Sequence, residues 1–304
     1  MRVVFMGTPA FAATCLNKIA DRCEIVGVYT KPDTPKNRGM KLMESEVKQA
    51  AKALGLPVYQ PASFKDDAVV EELRDLQPEL IVVVAFGKIL PQRVLDIPEK
   101  GCINIHGSIL PALRGAAPVQ WAVLQGLPET GVTAMYLSAG MDEGDIIDLR
   151  RTPVDPNETA GQLMDRLAVL GAELLADTLV SIENGTATRT PQDAALASYA
   201  PMLTRELSPI DWEKPARQIL NQIHGLDPWP TATAELGGTS FKIFNAEPIE
   251  APCAGCPGTP VRLDKKGLTV LCGDGAVRIT ELQAQGGKRM RAPDYFRGHP
   301  IMLP

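Results

Sequence analysis

Two polar side chains, Asn104 and His106, interrupt the otherwise apolar run CINIH, which leads directly into the turn sequence GSILP. Residues two apart in a β-strand point to the same face, so the amide and the imidazole lie side by side where the strand ends. An amide NH2 can donate a hydrogen bond to a developing oxyanion, and a neighbouring imidazole can move a proton. The pair therefore predicts a site where an amine attacks a carbonyl carbon.

Cys102 lies on the same predicted face, so a Cys–His nucleophilic pair is an alternative. Four residues along a strand separate the thiol from His106 by about 13 Å, which is beyond the reach of proton transfer. We therefore expect Cys102 to belong to the core. Direct attack by an external amine is favoured over a covalent mechanism.

Asp142 is the predicted third member of the site. It lies in the loop AGMDEGD, after another predicted strand. An aspartate in such a loop usually supports its own turn. Here a carboxylate is also needed to orient His106 and to stabilise its imidazolium, and a loop at the carboxyl edge of the sheet is a suitable place for it. Glu143 and Asp145 remain alternatives on sequence alone.

Alternating strand and helix patterns surround these residues. Strands are predicted at 3–6, 24–30, 57–60, 80–85, 102–106 and 132–137, and helices at about 10–20, 45–54, 66–75, 116–125 and 159–183. The run LIVVVA is typical of a strand buried on both faces of a parallel sheet. The order predicts an α/β fold with a doubly wound, Rossmann-like parallel sheet that binds ligands at the carboxyl ends of its strands. The first turn, GTP, lacks the later glycines of a dinucleotide fingerprint.

The pattern changes after Gly185. A polar, proline-containing stretch precedes a helix predicted near 213–224 and several short β-type runs between Gly and Pro turns. Such runs are typical of a small, OB-like antiparallel β-barrel. We predict a catalytic domain over 1–187, a linker over 188–207 and a smaller β-barrel domain over 208–304.

The composition excludes several classes of protein. A chain of 304 residues that is 45% hydrophobic can bury a sizeable core. Six cysteines in this length do not indicate a disulfide framework, and Cys253 and Cys256 are interpreted as an incidental loop pair. No apolar run reaches the length of a membrane span, and the start is typical of a strand rather than a signal peptide. We expect a cytoplasmic monomer without a metal or a membrane contact.

The insertion TKPDTPKNRGMK follows the second predicted strand and carries four cations in a chain whose net charge is −5. That charge argues against a uniformly basic nucleic-acid-binding surface but leaves a local basic patch open. Composition alone fits a solvated loop and a basic finger that contacts phosphates equally well.

At these motifs the chain resembles the methionyl-tRNA formyltransferase family, nearly end to end. The resemblance is carried by VFMGTP, the insertion from KPD to RGMKL, VVAFG, CINIHGSILP with RGAAP, GMDEGD and DPWP. The Asn–His pair with a later Asp is shared by folate-dependent formyltransferases in general. The basic insertion and DPWP with the C-terminal barrel select the tRNA-dependent family.

The resemblance implies a reaction for translation initiation, with 10-formyltetrahydrofolate as donor and the α-amine of methionine-charged initiator tRNA as acceptor. Asn104 would stabilise the oxyanion, His106 would take the amine proton or deliver one to the leaving folate nitrogen, and Asp142 would orient the imidazole. By likeness, the folate-binding positions are Phe86, Gly87, Ser108, Ile109, Leu110 and Pro111, and the tRNA-binding positions are Lys36, Arg38 and Lys41.

Ala10 and the pair Ala112-Leu113 depart from the residues usual in the family, at positions of local contacts outside the Asn–His–Asp set. Two other functions stay open. One is a different 10-formyltetrahydrofolate-dependent formyltransferase or hydrolase that acts on a small molecule, which leaves the basic insertion without a role. The other is a tRNA-binding module without activity, which the intact Asn–His–Asp set disfavours.

Overall fold

The structure, a computed structural model, describes residues 1–36, 41–249 and 255–304. Contacts divide the chain into two compact units. The first unit comprises residues 1–118, 130–152 and 164–200, and the second comprises 119–129, 153–163 and 201–304. The sequence analysis expects three continuous ranges instead, and these domain boundaries stay predictions.

Strands and helices alternate along the first unit. Its strands are β1 (Arg2–Gly7), β2 (Glu24–Tyr29), β3 (Thr34–Lys36), β4 (Lys41–Met43), β5 (Val58–Tyr59), β6 (Leu80–Val84), β7 (Cys102–His106), β8 (Arg114–Gly115), β9 (Glu129–Tyr136), β10 (Ile146–Pro153) and β11 (Tyr199–Ala200). Its helices are α1 (Ala10–Ile19), α2 (Glu46–Ala53), α3 (Asp67–Asp75), α4 (Gln92–Leu95) and α6 (Ala160–Glu183). Helix α5 (Pro118–Leu124) belongs to the second unit except for Pro118. Some residues of β9, β10, α5 and α6 are assigned to the second unit.

Seven of these strands form one sheet in the order β10-β9-β7-β6-β1-β2-β5. The pairs that join β7, β6, β1, β2 and β5 are parallel. Strand β1 lies in the interior of the sheet, and its apolar residues from Val3 to Met6 are fully buried. This confirms the expected α/β fold with a Rossmann-like parallel sheet.

Helix α1 packs against β1 and β6 because its apolar residues recur at helical spacing. Phe11, Cys15, Leu16 and Ile19 are all buried. The next helix, α2, is preceded by its N-cap residue Ser45, whose side chain accepts a hydrogen bond from a backbone N–H of the first turn. No helix in the described part of the chain combines the length and the apolar character needed to cross a membrane.

One edge of the sheet differs from the expectation. Strand β9 runs antiparallel to β7, with Tyr136 opposite Ile103 and Thr133 opposite His106. Strand β10, which the sequence analysis does not predict, lies beyond β9. An apolar pattern indicates which faces of a strand are buried but not its direction, and the run IIDLRRTP of β10 is too charged to show the pattern.

The described part of the second unit contains an antiparallel sheet and, besides α5, two helices. Its strands are β12 (Ala232–Leu236), β13 (Thr239–Ile249), β14 (Pro260–Leu263), β15 (Leu268–Cys272), β16 (Gly275–Ala284) and β17 (Met290–Arg291), and its helices are α7 (Ala216–Gly225) and α8 (Ala292–Gly298). The order is β12-β13-β16-β15-β14, with β17 paired to β16. Phe241 and Val277 share a core with Ile219 and Ile223 of α7. The expected antiparallel sheet is confirmed, and its closure into a barrel stays a prediction.

His224, in the last turn of α7, is a buried titratable group of the second unit. Its side chain belongs to a residue only 2% exposed, and neither ring nitrogen has a hydrogen-bond partner in the described structure. Burial lowers the pKa of this histidine. The charge of Arg217 also lowers this pKa. Asp227 and Asn245 act in the opposite direction, although Asn245 is not placed to form a hydrogen bond with the ring. The folded protein therefore resists protonation of this ring.

We predict that the second unit loses stability as the pH falls below about 6.5. The imidazole of His224 then binds a proton in the unfolded chain but stays neutral in the folded protein. The loss reaches at most about 1.4 kcal/mol per pH unit and stops at the lowered pKa of the folded state. His224→Phe should flatten this dependence. Urea unfolding at pH 7.5, 6.5 and 5.5, followed by tryptophan fluorescence, measures it, since Trp121, Trp212 and Trp229 all lie in the second unit.

His299→Phe is the matched control, because it removes an exposed imidazole from the same unit. Its pH dependence should follow that of the unsubstituted protein. Asp227, whose pKa burial raises, contributes with the opposite sign, but it is present in all three proteins and the comparison between them removes most of its effect. Equal slopes for the unsubstituted protein and His224→Phe would contradict the prediction.

Candidate active site

Asn104 lies in β7 between two neighbouring strands, with Val83 of β6 and Met135 of β9 as its paired residues. The residue is 8% exposed. Within the described structure, its carboxamide makes no hydrogen bond. Its polar atoms are not fully enclosed, so they can be reached from outside the protein. A donor without a partner near the end of this strand is therefore suited to bind an oxygen atom of a ligand.

His106 is 5% exposed, and its Nε2 atom lies 2.9 Å from the carbonyl oxygen of Leu113. A carbonyl oxygen only accepts hydrogen bonds, so this contact assigns the ring hydrogen to Nε2. In the neutral imidazole the lone pair is then on Nδ1. That atom lies 3.7 Å from Oδ2 of Asp142. The geometry leaves Nδ1 able to accept a proton and places a carboxylate beside it.

Asp142, rather than its two sequence alternatives, lies beside His106. Its Oδ2 atom also accepts a hydrogen bond of 2.8 Å from the backbone N–H of Gly115. Glu143 instead lies 3.5 Å from Nη1 of Arg114. Asp145 lies 3.9 Å from Arg189. The structure therefore brings together the three residues expected to form the catalytic set.

Asp142 reaches His106 by a different route from the one expected. The sequence analysis places its loop at the carboxyl edge of the sheet, where parallel strands end, and this placement is wrong. Because β9 is antiparallel to β7, β9 ends beside the start of β7, where Leu137 N–H donates to the carbonyl of Cys102. The loop then returns along the sheet to reach His106. Asp142 has a φ of +54°, in the left-handed region that side chains rarely adopt.

Cys102 is a core residue, as expected. It packs in an apolar cluster with Val83 and Val94. Burial raises the pKa of its thiol to about 12. A thiol that stays protonated at neutral pH is a poor nucleophile. A covalent Cys–His mechanism is therefore disfavoured by the chemistry of the site as well as by the spacing along the strand.

The turn after β7 is fixed to β9 through one threonine. The Thr133 hydroxyl donates to the carbonyl of Ser108 over 2.7 Å and accepts from the N–H of Leu110 over 3.1 Å. The side chains of Ser108 and Leu110 are buried, whereas Ile109 and Pro111 are partly exposed. Of the four turn positions expected to bind folate, Ile109 and Pro111 are thus the ones whose side chains a ligand can reach. Sequence analysis missed Thr133, although a threonine within an apolar strand was a usable signal.

Phe86 and Gly87, the other expected folate positions, follow β6. The Phe86 side chain is fully buried and packs on Phe64, with ring centroids 6.1 Å apart. Any contact of Phe86 with a ligand would therefore use its backbone. Gly87 has a φ of +73°, and a Cβ atom there would lie 2.5 Å from Nζ of Lys31. The positive φ favours glycine at this position, whereas the contact with Lys31 does not require it, because that exposed side chain can move aside.

The basic insertion is a two-stranded hairpin in its described part. Strands β3 and β4 pair so that Lys36 lies opposite Lys41. At the base of the hairpin, Lys48 forms a 2.5 Å ion pair with Asp33, and this contact lowers the pKa of the aspartate. The third expected tRNA-binding residue, Arg38, lies outside the described residues.

The segment DPWP lies in the second unit. Asp227 lines a cavity of about 270 Å³ there. Burial raises the pKa of its carboxyl, and Arg289, 4.0 Å away, partly opposes that shift. The other residues around the cavity are Asn157, Thr159, Gln162, Phe244 and Asn245. The Trp229 side chain, in contrast, is exposed.

The described residues contain no cluster of side chains suited to bind a metal ion. No three His, Cys, Asp or Glu side chains among them gather in a group that could hold a metal ion. Cys256 is exposed and not in a disulfide, whereas Cys253 lies outside the described residues. The expectation of a site without a metal stays a prediction.

Two protein families match the chain. One is described as "Formyl transferase" and matches residues 1–179, and the other, "Formyl transferase, C-terminal domain", matches residues 202–300. The methionyl-tRNA formyltransferase of Trichlorobacter lovleyi is 46% identical over 303 residues, covering 99% of this chain and 95% of the relative. That of Geotalea uraniireducens is 47% identical over 302 residues, covering 99% and 96%.

Solved structures share the fold. The N-formyltransferase from Helicobacter canadensis, in complex with folinic acid and dTDP-3-aminofucose, has a TM-score of 0.70 at 19% identity, covering 95% of this chain and 99% of that one. HypX from Aquifex aeolicus, in complex with tetrahydrofolic acid, has a TM-score of 0.65 at 21% identity and covers 100% of this chain but 48% of the HypX chain. At such identities the likeness concerns the fold alone. The curated relatives, in contrast, share nearly half of their residues with this protein over almost its whole length, and the chain therefore belongs to the methionyl-tRNA formyltransferase family of formyl-transferring enzymes.

Proposed function

We propose that this chain transfers the formyl group of 10-formyltetrahydrofolate to the α-amine of methionine esterified to initiator tRNA, as a cytoplasmic monomer. The acceptor follows from the name of relatives at 46% and 47% identity. A folate donor is supported by two fold neighbours, whose structures contain tetrahydrofolic acid and folinic acid. The observation that carries the proposal is an amide without a hydrogen-bond partner, on a largely buried residue, which shares its strand face with an imidazole that a carboxylate supports.

Asn104 acts on the oxygen of the formyl group. When the amine nitrogen bonds to the formyl carbon, the carbonyl electron pair moves to the oxygen and forms a tetrahedral oxyanion. The Asn104 NH2 donates a hydrogen bond to that oxygen. Because the amide is already buried, it needs little reorganisation as the charge develops, so it stabilises the transition state more than the ground state.

His106 moves one proton through Nδ1. Its Nε2–H stays bound to the carbonyl of Leu113, so Nδ1 is the atom that accepts the proton of the attacking amine. When the tetrahedral intermediate collapses, the bond from the formyl carbon to the folate nitrogen breaks and that nitrogen takes up a proton, which Nδ1–H delivers. The two roles that the sequence left open for His106 are then consecutive steps for the same proton.

Asp142 stabilises the imidazolium between these two steps. The distance of 3.7 Å from Nδ1 to Oδ2 exceeds that of a hydrogen bond, so the carboxylate acts by charge and leaves Nδ1 accessible to the substrate. The N–H of Gly115 holds the same oxygen atom and orients the carboxylate. In this role Asp142 does not itself accept the proton.

The residues around this set bind the donor and the acceptor. Ile109 and Pro111 contact the folate through their side chains, while Ser108 and Leu110 hold the turn. Phe86 and Gly87 contact the folate through backbone atoms. The insertion concentrates three cations, Lys36, Arg38 and Lys41, within a short stretch of sequence, and such cations commonly contact phosphate oxygens of nucleic acids. This supports a tRNA-binding role for Lys36, Arg38 and Lys41 through the phosphate backbone.

We predict that Asn104→Ala lowers kcat for formylation of methionine-charged tRNA by about 10²–10³ and changes the KM values little, because the lost hydrogen bond forms in the transition state. Asn104→Asp should not restore activity, since it keeps the size of the side chain but replaces the donor with an acceptor. Initial rates at saturating concentrations of both substrates measure the effect.

Asn221→Ala is the matched control for this substitution. Asn221 is a similarly buried asparagine of the second unit, and its replacement should leave kcat within about twofold. The same assay should be run with glycinamide ribonucleotide, an amino-sugar nucleotide and water as acceptors. Full turnover by Asn104→Ala would remove the amide from the mechanism, and formylation of a small amine alone would replace tRNA as the acceptor.

A second prediction concerns the basic hairpin. Arg38→Ala should raise the KM for charged tRNA and reduce the salt dependence of tRNA binding by about one unit of log–log slope, because one phosphate contact is lost. The KM for the folate should not change. Lys18→Ala, which removes an exposed cation of α1, is the control. An unchanged KM and salt slope for tRNA in Arg38→Ala would exclude this arginine from tRNA binding.

A further inference from the structure

Gln192 lies in the segment that the sequence analysis assigned to a linker, yet its carboxamide makes four hydrogen bonds to oxygen and nitrogen atoms of the first unit, besides a longer contact of 3.9 Å from Nε2 to Sδ of Met135. The Oε1 atom accepts from Nε and Nη2 of Arg114, at 3.1 and 2.7 Å. The Nε2 atom donates to the backbone carbonyls of Asp142 and Gly144, both at 2.8 Å. This one side chain therefore joins β8 to the loop that carries Asp142.

Asp142 needs such support because little else determines its position. Its backbone has a φ of +54°, a conformation that is costly for a residue with a side chain. Its carboxylate is held by the N–H of Gly115, the neighbour of Arg114 in β8. Gln192 thus holds the backbone of Asp142 to the same short strand that holds its side chain. Asp142 is therefore held both at its backbone carbonyl and at its carboxylate.

The segment around Gln192 is itself attached to the turn that leads away from His106. The Ser198 hydroxyl accepts from the N–H of Leu113, and the carbonyl of Ser198 accepts from the N–H of Arg114. The carbonyl of Leu113 is the group that binds Nε2 of His106. Residues 192–200 therefore bind the backbone of Asp142 directly and that of Leu113, the residue that holds His106, through separate hydrogen bonds.

We propose that Gln192 is a positioning residue for formyl transfer, which holds Asp142 at the distance from Nδ1 of His106 that the reaction needs. The inference rests on the proposed role of Asp142. Gln192 does not touch the reacting atoms and acts only through the aspartate. Its two hydrogen bonds to the carbonyls of Asp142 and Gly144 carry the effect, whereas the two bonds that it accepts satisfy the guanidinium of Arg114, a residue only 4% exposed.

A double-substitution cycle with Asp142 tests this proposal. Gln192→Ala should lower kcat by about 10-fold, because a displaced catalytic group costs rate and not substrate affinity, and the KM values should stay within about twofold. In the Asp142→Ala background the same change should lower kcat by less than about twofold, since the group it positions is absent. Additive losses would overturn the proposal, because they would mean that Gln192 acts independently of Asp142.

Gln192→Glu separates the two sides of the carboxamide. A glutamate still accepts from Arg114 but cannot donate to the two carbonyls. We expect its kcat to be as low as that of Gln192→Ala. The control is Gln222→Glu, which removes two similar donated bonds, to the carbonyls of Leu207 and Pro209, in the second unit. It should keep kcat within about twofold. If Gln192→Glu kept full activity, the donated bonds would have no part in positioning.

Hydrogen exchange supplies a readout that does not depend on activity. The N–H of Gly115 donates to the Asp142 carboxylate, so its exchange should accelerate in Gln192→Ala by about 10-fold and remain slow in Gln222→Glu. The outcomes separate two failures. Normal turnover by Asp142→Ala would remove the proposed role of Asp142 itself. Impaired turnover by Asp142→Ala with normal turnover and normal Gly115 exchange in Gln192→Ala would overturn only the role of Gln192.

Discussion

The chemistry of the site depends on the hydrogen bond from Nε2 of His106 to the carbonyl of Leu113, which is 2.9 Å long. This partner can only accept, so it determines which ring nitrogen carries hydrogen and leaves the Nδ1 lone pair for the substrate. Leu113 has a φ of +59°, and its own N–H donates to Ser198. A backbone carbonyl cannot change its protonation state, so the tautomer of the neutral ring is set by the fold rather than by a titratable neighbour.

The surroundings of this bond explain why Asn104 stands out. Most polar groups near it are used within the protein: Ser108 donates to the carbonyl of Ala112, and Thr133 both donates and accepts. In the described structure the carboxamide of Asn104 is left without such a bond, and its polar atoms can still be reached from outside the protein. The rest of the residue is buried, and low-dielectric surroundings strengthen a hydrogen bond to a charged oxygen. Asn104 is therefore the donor of this group that is free to bind a substrate oxygen.

Sequence predicts the local parts of this arrangement well. The pairing of Asn104 with His106 follows from a period of two along one strand, and the strands and helices that were predicted for the first unit lie within a few residues of their expected bounds. Short elements such as β8 and α4 were not predicted. The direction of β9 could not be predicted, because an apolar strand has the same pattern in either direction. Asp142 could not be distinguished from Glu143 and Asp145 for a related reason. The choice depends on where the returning loop meets β8, and that is a contact between distant parts of the chain.

Gln192 shows the limit of such reading most clearly. Its neighbours in sequence are polar, as in any linker, and nothing in them indicates that its amide meets β8 and the loop of Asp142 at once. The geometry of the proposed catalytic set consequently depends on three separated stretches: β7 with its turn and the loop after β9, which carry its members, and residues 192–200, which hold them. Each stretch is irregular where it meets the others, so none could hold its geometry alone. The hydrogen bonds among them, rather than the sheet itself, set the distance between His106 and Asp142, and a change in the third stretch can reach the site without altering the core.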